Sequence, residues 1–151
     1  MSDEPPLNLS AFLPYQLSIT SNAVSGVIAR EYQARFGLKI PEWRIMAVLG
    51  ERGELTQRDL VAATRMDKVT VNRAVKAMAD RGLIDRLPDM RDGRSHGLAL
   101  NLAGDALYRE IVPAALAMDA RLSGVLSAEE KILLSTLLHR MRQAADAVPG
   151  K

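Results

Sequence analysis

The segment LPDMRDGRSHGLALN, residues 87–101, places Arg91 and Arg94 around an Asp-Gly pair, Asp92 and Gly93, between two apolar runs. A tight turn accounts for the pair, because Gly reaches positive φ at little cost and Asp bonds the backbone just ahead of it. It does not account for the arginines. One use for them is solvated charge on a hairpin turn. The other is contact with a polyanion. A guanidinium is long and planar enough to enter the narrow, electronegative minor groove of DNA while a nearby carboxylate fixes its orientation, and Asp92 and Arg94 have that spacing.

A second set of such groups lies upstream in KVTVNRAVKAMADR, residues 68–81. Val71, Ala74, Val75 and Met78 repeat at i, i+3, i+4 and i+7, which fixes the buried face of a helix. At 100° per residue, Val69, Asn72, Arg73 and Lys76 then point away from the core, with Lys68 and Thr70 on the flanks. Arg73 and Lys76 are either ordinary solvated charges or contacts to DNA. An α-helix fits the major groove, and an outward Val69 suits a thymine methyl.

Other chemistries find little support. The chain has no cysteine, which excludes disulfides, thiolate catalysis, thiol redox sensing and cysteine-ligated zinc. His96 and His139 are far apart and lack ligand spacing, so no metal site is expected. Asp59, Asp85 and His139 fall in unrelated elements with no nucleophile beside them, so neither a catalytic set nor a cofactor is expected. Net charge is +2 over 151 residues, but residues 52–96 carry 10 basic and 7 acidic groups, so the cationic excess sits mid-chain. The start, MSDEPPLNLS, is acidic and has neither a basic n-region nor an apolar h-region. No run reaches the roughly 18 apolar residues of a membrane span. The expectation is a soluble, cytoplasmic protein with no membrane partner.

The elements that must position these groups read mostly as helix, in keeping with 48% apolar and 4% aromatic residues. Residues 13–36 form a long first helix, with Pro14 in its first turn, Leu17, Val24 and Ile28 along its stripe and Gly37 as its stop. Pro41 and Glu42 open a second helix that Gly53 ends. Thr56 caps a short third helix with Leu60 and Val61 inward, and Asp67 caps the fourth, which Gly82 ends. Two short helices joined by a tight turn make a helix-turn-helix. LIDRL and HGLALN are the strands of a hairpin, or wing. Asn101 caps a helix running to about Ser123, which Pro113 either bends or divides. Ser127 and Glu130 form a capping box for the last helix, whose stripe comprises Leu134, Leu137, Leu138, Met141, Ala144, Ala145 and Val148. The expected fold is mostly α: a single domain over 1–151, a winged helix-turn-helix lobe over 41–100, and dimerisation helices over 13–36 and 101–148. The terminal stripes exceed what one small lobe covers, which calls for a second copy; an intramolecular bundle is the alternative.

The wing pattern D-x-R-D-x-R (Asp89, Arg91, Asp92, Arg94), followed by LALNLAG ending at Gly104, resembles the MarR (multiple antibiotic resistance regulator) transcription factors. PEWRIMAVL, LTQRDLVAAT and TVNRAVKAMADRGLIDR also look like segments of that family, and the likeness covers nearly the whole chain. Asn101 stands where the family usually has Thr, retaining a capping oxygen. Gly97 in the wing strand is less expected and reads as a source of mobility. The resemblance implies a homodimer whose terminal helices interlock and whose lobes read a pseudo-palindromic operator on double-stranded DNA. Lys68, Val69, Thr70, Asn72, Arg73, Lys76, Arg91, Asp92 and Arg94 are then the DNA-binding residues. By the same analogy a small anionic aromatic effector is expected, with Tyr15, Trp43, Arg44 and Tyr108 lining its crevice; structural roles are the other reading of these four, and Trp43 reads first as core. The alternative function is a winged-helix protein-interaction module without DNA binding.

Overall fold

The computed structural model describes residues 4–88 and 96–150. The chain divides into two compact units, Met1–Val112 and Pro113–Lys151. The first begins with a short 3-10 turn (Leu9–Ala11) and α1 (Leu13–Phe36), which has Pro in its first turn and ends at Gly37 with φ +64, a left-handed position that favours glycine. Next come α2 (Ile40–Arg52), β1 (Leu55–Thr56), α3 (Gln57–Thr64), α4 (Lys68–Asp80), β2 (Ile84–Pro88), β3 (His96–Leu100) and α5 (Leu102–Ser123), whose first half belongs to this unit. The 13–36 helix therefore shares a unit with the winged lobe.

The core of this unit gathers Leu38, Ile45, Met46, Leu60, Val71, Val75, Met78 and Leu98, all at most 2% exposed. Of the two α3 positions expected inward, Leu60 is fully buried and Val61 only half-buried. The hairpin is part of a three-stranded sheet in the order β1-β3-β2. β1 is an addition to the sequence reading, in which Thr56 is only a cap. Leu55 and Thr56 pair with Leu98 and Gly97, while Ile84 to Pro88 pair with Leu100 to His96. Gly97 is buried in the middle strand, where a Cβ would overlap the Glu54 carboxyl, so its small size has a packing reason.

Asn101 ties three elements together. Its Oδ1 accepts from Gly104 N–H at 2.9 Å, capping α5, and its Nδ2 donates to the Gly82 carbonyl just beyond α4 at 2.7 Å. Gly104 is buried there, and a Cβ on it would overlap the carbonyl oxygen of Leu83. A backbone atom cannot rotate aside, so the overlap outweighs the gain of about 1 kcal/mol in helix propensity. Gly104→Ala is expected to destabilise the fold by about 1–3 kcal/mol in denaturant unfolding, and an unchanged midpoint would contradict the packing.

In the second unit, α5 continues unbroken through Pro113, so the proline does not divide it. The capping box opens α6 (Ala128–Asp146): Ser127 N–H donates to Glu130 Oε1 at 2.9 Å and Glu130 N–H to Ser127 Oγ at 3.1 Å. None of α6 is buried, although Leu134, Leu137 and Met141 recur along it at helical spacing.

Candidate nucleic-acid interface

The helix-turn-helix is built from local hydrogen bonds. Thr56 Oγ1 accepts from Asp59 N–H at 3.1 Å, and the Asp59 carboxylate accepts from Thr56 N–H at 2.9 Å. At the other end of α3, Arg65 adopts φ +58, and its N–H donates to the Val61 carbonyl. This left-handed residue reverses the chain within three positions, so Asp67 can start α4 at once. Asp67 Oδ1 accepts from Thr70 N–H at 2.7 Å and Oδ2 from the Thr70 hydroxyl at 2.8 Å.

The backbone N–H of Thr70, with its hydroxyl, holds the Asp67 carboxyl below its ordinary value of 3.8; Ser127 does the same for Glu130 below 4.5. Both groups favour the charged form when folded. Their stabilisation is therefore complete above those ordinary values and is lost as pH falls through the depressed ones. Between about pH 6 and about pH 3, wild type should lose stability more steeply than Asp67→Asn, which keeps a capping oxygen that does not titrate. Parallel denaturation midpoints would show that the charge on Asp67 adds nothing to the cap.

The intended faces of α4 are realised. Val71, Ala74, Val75 and Met78 are buried, and Lys68, Val69, Asn72, Arg73 and Lys76 are exposed. Val69 is 57% exposed, far more than an apolar side chain in the core would be. Thr70 is half-buried and its hydroxyl is engaged by Asp67, so part of its hydrogen-bonding capacity is already used. Lys76 pairs with Asp80 at 3.3 Å, but both side chains are well exposed and such a pair is worth little, leaving the ammonium free to re-aim. Arg91, Asp92 and Arg94 lie outside the described residues.

Arg81 is a cation whose role the sequence reading did not assign. Its guanidinium donates to the carbonyls of Gly37 and Phe36 at 3.0 and 3.2 Å, satisfying the C-terminal end of α1 and fixing the end of α4 against it.

Of the four residues suggested for an effector crevice, the structure brings two together. The Trp43 and Tyr108 rings stack with centroids 6.4 Å apart, and Tyr32 meets Trp43 edge-on at 5.2 Å. Gly50 makes room for this: a Cβ there would lie 2.5–2.8 Å from the Tyr108 ring. Arg44, next to Trp43 on α2, is exposed. Tyr15 is not part of the cluster. It sits 17 residues before Tyr32 on the same helix, about 25 Å away at 1.5 Å per residue. Tyr32 itself is 2% exposed and its hydroxyl is pushed up by burial first and the Glu31 charge second, as expected of a core tyrosine.

Residues 36–95 match the model of the MarR family. That span, about two fifths of the chain, holds the winged lobe. Curated relatives of the chain include the transcriptional regulator HosA of Escherichia coli, 28% identical over 101 residues that span 67% of this chain and 75% of HosA. The transcriptional repressor NicR of Pseudomonas putida is 29% identical over 96 residues, 64% of this chain and 61% of NicR. Three solved structures share the fold of this chain. A MarR/EmrR family regulator from Acinetobacter sp. ADP1 has a TM-score of 0.86 at 24% identity, covering 93% of this chain and 99% of that one. BpsR of Bordetella bronchiseptica, whose DNA binding is regulated by 6-hydroxynicotinic acid, has a TM-score of 0.84 at 23% identity over 91% and 98%. A mutant E. coli MarR complexed with operator DNA has a TM-score of 0.80 at 17% identity over 91% and 99%. The chain thus has a winged helix-turn-helix fold. No single helix among its described residues is long and apolar enough to cross a membrane.

Proposed function

We propose that this chain is a ligand-responsive repressor that binds a pseudo-palindromic operator as a homodimer. The observation that carries the DNA-binding part is the outer face of α4, where exposed Val69, Asn72, Arg73 and Lys76 are held in register by the four buried residues behind them. Such a face offers hydrogen-bond donors and a methyl contact to base edges, while Arg91, Asp92 and Arg94 supply minor-groove chemistry by residue type. Repression and ligand response are supported by analogy with NicR, a repressor, and with BpsR, which responds to 6-hydroxynicotinic acid. Homodimerisation is supported by the uncovered apolar residues of α6, including Leu134, Leu137 and Met141, and of the first half of α1, including Leu13 and Leu17. Selection of bound sequences from randomised DNA tests the reading directly. The expected product is an inverted repeat with half-sites about one helical turn apart, and recovery of no enriched sequence would overturn it.

For the effector, Trp43 and Tyr108 offer aromatic faces and Arg44, the next residue along α2, an exposed guanidinium, residue types suited to an aromatic carboxylate. A ligand releases DNA only by binding the DNA-incompetent state more tightly. A coupling of about 1–3 kcal/mol gives a several-fold to hundred-fold change in operator affinity. Titration of salicylate-like and hydroxynicotinate-like acids against the protein–operator complex is expected to weaken it, with the response lost in Arg44→Ala. An Arg44→Ala response equal to wild type would remove the residue from the site.

A further inference from the structure

Arg81 is the C-cap of α4, and its backbone N–H donates to the Ala77 carbonyl. Its side chain reaches across to α1, where Nη1 donates to the Gly37 carbonyl at 3.0 Å and Nη2 to the Phe36 carbonyl at 3.2 Å. Each helix end carries open carbonyls and partial negative charge, so two such ends side by side repel. A cation between them offsets both charges and turns the repulsion into a joint. The joint is directional. A guanidinium is planar, and two of its donors aimed at successive carbonyls fix both a distance and an angle between the helices.

The two halves of α1 are used differently. Leu13, Leu17 and Ile19 in its first half are exposed, whereas Tyr32 near its end is 2% exposed and meets Trp43 of α2 edge-on. One unbroken helix of 24 residues, about 36 Å long, joins the open half to the half packed on the lobe. The lobe beyond it is a single packed body through Met46, Val71, Val75 and Met78. Apolar contacts such as Tyr32 with Trp43 hold this body on α1, but they are non-directional, and packed helices slide on one another at small cost. Among the described residues, no hydrogen bond or ion pair other than the two from Arg81 joins α4 to α1 and its cap.

We propose that Arg81 is a positioning residue that sets which half-site spacing the protein accepts. Its fork fixes the angle of the lobe, α4 included, against α1 before DNA is met. The inference rests on the reading above of a dimer that binds an inverted repeat, with the open half of α1 in the dimer contact. In such a dimer α1 is the arm between the dimer and each recognition helix. A stiff arm admits one separation of half-sites, and a hinged one admits several. Arg81 acts through α4 and reads no base itself.

The test compares the full chain with Arg81→Met, which keeps a long stem and removes the donors. Fluorescence anisotropy is measured on the selected operator, on duplexes with one base pair added or removed between the half-sites, and on a duplex with a single half-site. One base pair shifts a half-site by about 3.4 Å along the duplex and about 35° around it. Wild type is expected to bind the altered spacings about tenfold more weakly than the operator. In Arg81→Met that penalty should shrink about fivefold, the effect of losing one or two hydrogen bonds, while single-half-site affinity stays within about twofold of wild type. Arg81→Lys keeps the charge but lacks the planar fork and should also relax the spacing; it decides the matter if Arg81→Met melts before binding can be measured. A wild-type spacing penalty in the variants, or an equal loss on every duplex including the single half-site, overturns the positioning role and leaves Arg81 a helix cap. A wild type that accepts all three spacings alike overturns it as well. A wild type with no preference for the operator over random duplex overturns the DNA-binding reading, and this inference with it.

Discussion

Removal of residues 127–151 is expected to leave a chain that no longer recognises a two-fold operator and that light scattering finds as a monomer. The prediction follows from α6, which has no buried residue although Ile132, Leu133, Leu134, Leu137 and Met141 expose between 37% and 69% of their surface. Water-exposed apolar rows of that length are covered in a stable protein, and a second copy of the chain presents the same rows. Loss of the dimer removes the simultaneous engagement of two half-sites, so operator affinity should fall by about 100-fold or more. Truncation also shortens the chain, and a folding defect would mimic the result. The double variant Leu137→Glu with Met141→Glu avoids this, because both positions face solvent within one chain. In a monomer these changes are close to neutral for stability; in a dimer they place buried charge at the interface. A full-length chain that is a stable monomer, or a double variant that stays dimeric, refutes the assignment.

Arg73→Ala is expected to weaken operator binding by about 1–3 kcal/mol and to relax base preference at one position of each half-site. Arg73 is exposed on α4 between buried Val71 and buried Ala74, so the helix holds its stem while the guanidinium is free to reach a base edge. Its side chain is exposed, and the unfolding free energy should stay within about 0.5 kcal/mol of wild type. Arg94→Ala should cost a similar amount of affinity, and Asp92→Ala less, since the carboxylate orients and does not itself attract DNA. The signatures differ: loss at Arg73 discriminates among G-containing half-sites, whereas loss at Arg94 follows minor-groove width and is largest on A·T-rich flanks. Unchanged affinity in Arg73→Ala at moderate salt would detach the α4 face from DNA.

The arithmetic of short-range bonds explains how much was legible in the residues themselves. Thr56 with Asp59, Asp67 with Thr70, Ser127 with Glu130 and Asn101 with Gly104 each bond three residues apart. A cap of that span is decided by residue type and local backbone alone, so helix starts could be placed without knowing what packs on them. The stops at Gly37 and Gly82, with φ +64 and +70, are equally local. The 3.6-residue repeat of Val71, Ala74, Val75 and Met78 fixed which side of α4 faces outward, and hence which side chains can meet a ligand.

Contacts between residues distant in sequence leave no such period, and those only the tertiary structure decided. β1 is two residues long, too short for any alternation to show, and exists because Leu55 and Thr56 meet a strand more than 40 positions away. Arg81 reads as one more surface cation until α4 ends beside the open carbonyls of α1. Gly50 and Gly104 look like helix weaknesses until the Tyr108 ring and the Leu83 carbonyl occupy the space a Cβ would need. Local bonds set the elements because their entropy of closure is small. Shared sites depend on which distant faces the core brings together, and that is settled by packing.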